Sequence, residues 1–277
     1  MKKYIKSPLN YVGGKFKLLN EIIPLFPDNI RTFIDLFGGG FNVGINVRAD
    51  YIVYNDICQP VVELLNCIYS KETDTLLEQI DANIEKYNLS KENRDGYMTL
   101  RKNYNLGIKN SMDLYTLLCY AFNNQIRFNK KGEYNMPFGK ERSSFNPTLR
   151  QKFIDFANEL HQKHCCFVNE SFDGFDFDDF DNNDFVYCDP PYLNSVASYN
   201  EQGGWTIDHE KRLLALLDEL NKKPIKFALS NNLKYSNLLL DEWKNKYNVH
   251  YLNGNYSNCN YHKINRDKDI EVLITNY

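Results

Sequence analysis

The residues with the clearest chemical content are Asp189-Pro190-Pro191-Tyr192, directly after the apolar run DFVYC. Two consecutive prolines stiffen a turn and remove two backbone donors, so the Asp189 carboxylate and the Pro190 carbonyl can both face one amino group. An aromatic ring follows, able to stack on a planar ligand. An exocyclic amine conjugated to a purine ring is a poor nucleophile, because its lone pair is delocalised. Two acceptors holding its hydrogens favour a pyramidal nitrogen with its lone pair aimed at a sulfonium methyl, and orientation then supplies most of the acceleration of an in-line transfer. Taken alone, the tetrapeptide is equally a strand-end turn carrying a surface tyrosine.

Upstream lie two features that such a site requires. Gly38-Gly39-Gly40, preceded by Asp35 and Phe37, lets the backbone approach a ligand closely and is expected to open a helix whose N-terminus favours negative charge. It departs from the GxGxxG dinucleotide fingerprint. Asp56, 21 positions after Asp35, ends the next apolar run, where an acid can accept both hydroxyls of a ribose; a strand-end or capping aspartate is the other reading. The order is glycine turn, ribose acid, then DPPY, and the combination is far more specific than its parts.

The elements that must hold these residues can be read from periodicity. RTFIDLFGGGFNVGINV from Arg31 reads as strand, glycine turn and helix, and YIVYNDI from Tyr51 as a second strand. From about Pro60 to about Leu160 the spacing becomes helical, with NQIRFNKKGEYNMPFGK alternating like a hairpin whose turn is KKGE. CCFVNESF and DFVYCDPPY then read as strands, DHEKRLLALLDELNK as a helix, PIKFALSNN as a strand, LLLDEWKNKY as a helix, and VHYLNGNYS with IEVLITNY as a closing pair of strands. Strands interleaved with helices imply a mainly parallel α/β sheet covered on both faces, with ligands at the carboxyl ends of its strands. The division expected is a sheet domain formed by residues 1–57 and 164–277, with 58–163 as an insertion.

Composition bounds the remaining possibilities. The 277 residues are 43% hydrophobic, with 18 Phe and 20 Tyr, enough for a full core. No apolar run approaches a membrane span, and MKKYIKSPLNYVGGK lacks an apolar stretch behind its basic residues, so a soluble, cytoplasmic protein with no membrane partner is expected. Seven cysteines without CxxC pairs argue against disulfides and structural zinc. His161 and His164 beside Cys165 and Cys166 follow a helical pattern and lack a second ligand pair, so no metal is expected. The net charge of -3 is unevenly spread: the first 20 residues carry five lysines and no acid, and Arg127 to Lys152 holds seven basic residues against two acids. Two basic segments on a near-neutral chain suit a locally DNA-facing protein as well as an ordinary solvated surface. The acidic run Asp173 to Asp184 reads as a solvated loop.

Over almost its whole length the sequence resembles the Dam-type family (D12 class, alpha group) of DNA adenine N6-methyltransferases. NYVGGK (10 to 15) is similar to the family's N-terminal donor-site motif, with Tyr11 where Trp is usual and the lysine retained as Lys15. FIDLFGGG resembles its strand and glycine turn, with Asp35 where Glu is common. YNDI carries the ribose acid as Asp56, NESF (169 to 172) resembles the segment near the donor's adenine, DPPY is the catalytic motif, FALSNN matches a later strand, and RDKDIEVLITNY resembles the C-terminal end. The resemblance implies a Rossmann-like S-adenosylmethionine-dependent methyltransferase sheet with a mostly helical target-recognition insertion carrying a β-hairpin. It implies S-adenosyl-L-methionine as methyl donor, held by Tyr11, Lys15, Asp35, Phe37, Gly38, Gly40, Asp56, Glu170, Phe172 and Asp189. Catalysis would fall to Asp189, Pro190, Pro191 and Tyr192, with Tyr192 stacked on an adenine flipped out of double-stranded DNA, since N6 is otherwise tied up in the duplex.

FNNQIRFNKKGEYNMPFG (122 to 139) resembles the family's DNA-reading hairpin. By that resemblance Phe122 and Asn123 lie beside the opened base pair and Arg127 reads guanine, a physically sensible pairing because bidentate Arg to O6 and N7 is the commonest specific contact. Gln125, Asn129, Lys130 and Pro137 complete the expected DNA face; Tyr199, counted with it, and Trp205, both in the loop after DPPY, are candidates for pocket closure or DNA stacking, with core or loop packing the equal alternative. Asn124 and Gln125 replace the Gly-Leu typical of GATC readers, so a GATC target does not follow. A monomer suffices for an asymmetric reader, and a cognate restriction endonuclease is an expected functional partner. Two other readings stay open: amino methylation of RNA, cytosine N4 or protein glutamine, and a non-catalytic DNA-binding protein that retains the fold.

Overall fold

The computed structural model describes residues 4–11, 13–194, 204–252 and 270–277. Tyr199, Cys259, the tail of VHYLNGNYS and the RDKD start of the C-terminal segment lie outside the described residues. Seven strands form one sheet: β1 Ile30–Asp35, β2 Ala49–Asn55, β3 Cys165–Val168, β4 Phe185–Cys188, β5 Lys226–Asn232, β6 Asn248–Leu252 and β7 Glu271–Thr275. Their spatial order is β3-β2-β1-β4-β5-β7-β6. The first five run parallel, and β7 pairs antiparallel with both β5 and β6. The chain passes from β1 to β2 on one side and returns to β4 on the other, which creates a topological switch point between β1 and β4.

Alternation along the strands sorts the core into two layers. Phe33, Phe185 and Tyr187 enter one hydrophobic cluster, while Ile34, Val186 and Cys188 enter the other. Both faces are covered, which is why these strands read as continuous apolar runs. The second layer is closed by α7 Ile207–Lys222 and α8 Leu238–Trp243, through Leu213, Leu217 and Trp243. On the first layer, the cluster runs on from the sheet into the helices α2 Gln59–Ser70, α3 Thr73–Lys86, α4 Arg94–Leu106, α5 Ser111–Tyr120 and α6 Pro147–Leu160; a short α1 Leu19–Ile22 precedes the sheet. Asparagines begin several of these helices: the side chains of Asn93, Asn110, Asn146 and Asn237 accept from the first-turn N–H groups of α4, α5, α6 and α8.

Three sequence expectations need correction. The helix expected after the glycine turn is a single 3-10 turn, Gly44–Asn46. The side chains of Asn42 and Asn46 bond backbone groups instead: Asn46 exchanges hydrogen bonds with Ile5 at 2.8 Å, and Asn42 Oδ1 accepts from Ser7 N at 3.1 Å. Such side chains compete with a helical ladder, and only a few residues separate the turn from β2. The hairpin turn is Asn129–Gly132 rather than KKGE, because Gly132 N donates to the Asn129 carbonyl and takes the left-handed conformation at φ 70°. Glu133 thus returns to the pairing, with Asn129 N bonded to its carbonyl. Finally, Asp184 is not solvated. It is buried and bonds Arg31 Nε at 3.0 Å and Thr32 N at 3.1 Å, while Phe175, Phe177 and Phe180 turn inward on the second cluster.

Candidate active site at the carboxyl edge of the sheet

Strand register assembles the site. Asp35 at the end of β1 lies opposite Tyr54 on one neighbour and Tyr187 on the other. Asp56 and Asp189 therefore each emerge two residues beyond that level, on either side of β1. The glycine turn fits between them: Gly38 N donates to the Asn55 carbonyl at 2.8 Å, Tyr54 Oη donates to the Gly39 carbonyl at 2.8 Å, and Gly39 N donates to Asp56 Oδ2 at 2.9 Å. A Cβ on Gly38 would stand 2.2 Å from the Tyr54 ring, so only glycine lets the backbone cross here. The Tyr11 ring lies against Gly39.

A pocket of about 550 Å³ opens at this edge. It is lined by Tyr11, Lys15, Asp35, Phe37, Gly38, Gly40, Asp56, Glu170, Phe172 and Asp189, every residue expected at the donor site, together with Pro190, Pro191 and Tyr192. Of the expected DNA-facing residues, Arg127 lines it too, whereas Phe122, Asn123, Gln125, Asn129, Lys130 and Pro137 are not among its lining residues. Arg127 is exposed and pinned by Asn135, its Nε donating to Oδ1 at 2.8 Å and its Nη2 to the carbonyl at 3.0 Å. Phe122 is 41% exposed, and Asn123 adopts φ 54° with its carbonyl held by Asn10 Nδ2. Asn129 uses its side chain within the turn, accepting from Lys131 N and Glu133 N.

The wall beside β3 is aromatic. Phe172 lies 5.4 Å from Phe37 and 5.4 Å from Trp205 between ring centroids, and Trp205 stacks on His209. Asn55 fastens the following segment by accepting from Glu170 N at 3.0 Å and donating to its carbonyl at 3.1 Å. On the opposite side, the Asp189 carboxylate meets the buried ammonium of Lys15. Tyr192 Oη donates to Glu271 Oε2 at 3.0 Å, and Asn232 Nδ2 donates to Glu271 Oε1 at 2.9 Å.

The electrostatics are one-sided. Asp56, Glu170, Asp189 and Glu271 line the pocket against Lys15 and Arg127, with the carboxyl of Asp35 behind them. Burial pushes the Asp35 carboxyl up to about 8, opposed by one hydrogen bond from Gly44 N. Burial also raises Asp56, opposed by the N–H groups of Cys58 and Gly39, and raises Asp189, opposed by the charge and hydrogen bond of Lys15. Each oxygen of Asp56 takes one N–H and keeps acceptor capacity toward the pocket. A largely apolar cavity with an aromatic wall and several carboxylates suits a cationic ligand that carries a planar ring and hydroxyls.

Sequence reasoning did not single out Glu271, Asn232, Tyr235 or His209, all of which line the pocket. Glu271, Asn232 and His209 sit in elements whose type was legible, and Tyr235 in the turn between β5 and α8, but strand order, which carries β7 next to β5, was not. The 39-residue separation of Asn232 and Glu271 left no local signal.

Residues 11–258 match the family described as D12 class N6 adenine-specific DNA methyltransferase, and the chain belongs to that family. It is similar to type II methyltransferase M.FokI of Planomicrobium okeanokoites, 51% identical over 281 residues that cover 99% of this chain and 43% of the relative. Modification methylase StsI of Streptococcus sanguinis is 43% identical, covering 100% of this chain and 43% of its own length. A DNA adenine methylase of Haemophilus influenzae is 25% identical over 81% of this chain and 78% of its own. The chain thus spans less than half the length of the first two relatives.

Proposed function

We propose that this chain transfers a methyl group from S-adenosyl-L-methionine to N6 of an adenine flipped out of double-stranded DNA. The observation that carries this reading is the convergence of Asp189, the Gly38-centred turn and Asp56 on one pocket at the β1/β4 switch point. The donor fits the residues present. The backbone cradle at Gly38 has no room for a Cβ, Asp56 has spare acceptors for hydroxyls, Phe37, Phe172 and Trp205 offer flat apolar surface to an adenine ring, and the acid surplus favours a sulfonium and an ammonium. Tyr11, Lys15, Asp35, Phe37, Gly38, Gly40, Asp56, Glu170, Phe172 and Asp189 are assigned to it.

When bound, the donor supplies an electrophilic methyl carbon. Asp189 and the Pro190 carbonyl accept the hydrogens of the target amine and orient its lone pair, and Tyr192 offers its ring to the base. The hairpin reads sequence through Arg127, with Phe122 and Asn123 filling the gap beside the opened pair, and Gln125, Asn129, Lys130 and Pro137 against the backbone and neighbouring bases. Residues 58–163 serve as the target-recognition unit, and 1–57 with 164–277 as the catalytic unit. The names of the modification methylase and type II relatives support a role in a restriction-modification system, with a cognate endonuclease as functional partner. Among the described residues no helix is long and apolar enough to cross a membrane; the reading proposed is action on cytoplasmic DNA by a monomer.

Incubation with unmethylated genomic DNA and S-adenosylmethionine, followed by single-molecule mapping of modified bases, tests this. N6-methyladenine at one short motif is expected, absent with Asp189→Ala while DNA affinity survives. Donor binding without DNA methylation would move the acceptor to RNA or protein, cytosine N4 methylation would change the acceptor base, and DNA binding without donor binding would leave a non-catalytic reader.

A further inference from the structure

Tyr192 has two acidic neighbours and one proton to give. Its Oη lies 3.0 Å from Glu271 Oε2 and 3.4 Å from Asp189 Oδ1. A phenol carries a single O–H, and the shorter contact takes it. Glu271 is held for this purpose. Its other oxygen accepts from Asn232 Nδ2 at 2.9 Å, and Asn232 is fixed in turn, its Oδ1 accepting from Lys234 N at 3.0 Å and Ile270 N at 3.3 Å. The fixing is built into the sheet, since Asn232 and Glu271 face each other across β5 and β7. Nothing in the Asp-Pro-Pro-Tyr turn itself supplies this partner, which comes from 79 positions away.

We infer that Glu271 is a positioning residue for the acceptor side of the reaction. By taking the Tyr192 proton it fixes that ring in the pocket and keeps the phenol from donating to Asp189 Oδ1. Asp189 Oδ1, which already faces the Lys15 ammonium at 2.7 Å, then keeps its second lone pair for the target amine. The role rests on the reading of the pocket as an amino methyltransferase site. It also explains why a carboxylate occupies a half-buried strand position facing another carboxylate: burial raises the Glu271 carboxyl, Lys15 opposes this, and the two donated hydrogen bonds compensate what the location costs.

Glu271→Gln preserves shape but brings an NH2 group that must face either Asn232 or Tyr192. Turned to Tyr192, it makes the phenol an acceptor and releases the phenolic proton toward Asp189. The single-turnover methylation rate at saturating donor should fall about 10- to 100-fold, the range expected for a hydrogen bond to a charged group. Donor affinity should fall far less than the rate, since other acids still line the pocket. In a Tyr192→Phe background, which has no proton to misdirect, Glu271→Gln should cost almost nothing further. A purely structural role predicts the same loss in both backgrounds and would overturn the inference, as would a full rate in Glu271→Gln. If Glu271→Gln does not fold, Asn232→Ser, which unties one carboxylate oxygen, should show the same dependence on the Tyr192 hydroxyl. The Cζ resonance of Tyr192 in 13C-tyrosine-labelled protein reports the hydrogen bond without turnover. If the wild-type protein methylates no DNA, the reading of the site fails separately, and a Tyr192 signal unmoved by Glu271→Gln would then overturn the positioning role as well.

Discussion

Lys15 Nζ lies 2.7 Å from one carboxylate oxygen of Asp189 and 2.9 Å from the other, joining the N-terminal segment to the turn after β4 across 174 positions. The pair opposes the effect of burial, which alone would drive the Asp189 carboxyl further upward. On the proposed reading Asp189 must be ionised to accept the amine hydrogens, so activity should be lost as pH falls through its raised value. Removing the cation in Lys15→Met should move that acid limb to higher pH. Single-turnover rates against pH at saturating donor check this, and an unmoved limb would show that the pair does not set the ionisation of Asp189.

Asp35 gives a stability signature. Its folded value, about 8, lies above its ordinary 3.8. The stability linked to its neutral form is therefore complete below about 4 and is lost as pH rises through 8. Asp35→Asn cannot ionise, so its melting temperature should fall less than that of the wild type between pH 6 and pH 9. A difference of a few degrees is expected, since about 2–4 °C corresponds to 1 kcal/mol in a protein of this size. Parallel melting curves for both proteins would expose the error in the form of equal losses.

Gly38→Ala tests the cradle. The added methyl would sit 2.2 Å from a ring carbon of Tyr54, which is fully buried and bonded to Gly39, so neither side can yield cheaply. A loss of about 1–3 kcal/mol in stability is expected, with weaker donor binding as the turn is displaced. Thermal unfolding and calorimetry with S-adenosylmethionine separate the two effects, and an unaltered donor affinity would remove the turn from the binding site.

These residues also mark where the sequence was legible. Gly38, Asp56 and Asp189 could be placed because Asp56 and Asp189 directly follow β2 and β4 and Gly38 comes three residues after β1, and strands in an open parallel sheet bring their carboxyl ends to one edge whatever the intervening chain does. Glu271 could not, because its position depends on β7 inserting between β5 and β6, a pairing order with no periodic signature. The short turn at Gly44–Asn46 was missed for a local reason: Asn42 and Asn46 look compatible with a helix until their backbone partners at Ser7 and Ile5 are known. Asp184 looked solvated among its acidic neighbours, and only Arg31, brought alongside by the β1/β4 pairing, explains its burial.

Asn135 engages Arg127 through Nε and one Nη2 hydrogen, which leaves the remaining terminal donors for the bidentate guanine contact proposed for it. Arg127→Ala should weaken binding to the cognate site by about 1–3 kcal/mol and relax selectivity at one base position. Asn135→Ala, which leaves the guanidinium in place but unties its Nε, should lose less affinity and show a smaller relaxation. Methylation maps and titrations of cognate against single-substituted duplexes provide the test. A uniform loss across all sequences would make Arg127 a phosphate contact instead.

Trp205, in the pocket lining, is held by a carboxylate with no cationic partner among the described residues. Glu210, 1% exposed, accepts from Trp205 Nε1 at 2.5 Å on one oxygen and from Asn237 Nδ2 at 2.6 Å on the other. Asn237 also caps α8, so one buried acid ties the start of α7, the start of α8 and the aromatic wall together. Burial raises the Glu210 carboxyl while the two donors oppose it. Glu210→Gln forces one of those donors to face an NH2 group, and leaving a buried donor unsatisfied costs about 1–3 kcal/mol. Loss of the Trp205 anchor also loosens the surface against which Phe37 and Phe172 pack. The variant should therefore melt lower and bind S-adenosylmethionine several-fold more weakly, about 1 kcal/mol, yet reach the wild-type rate once donor is saturating. A fall in the saturated rate with donor affinity intact would instead assign Trp205 to the acceptor side of the pocket.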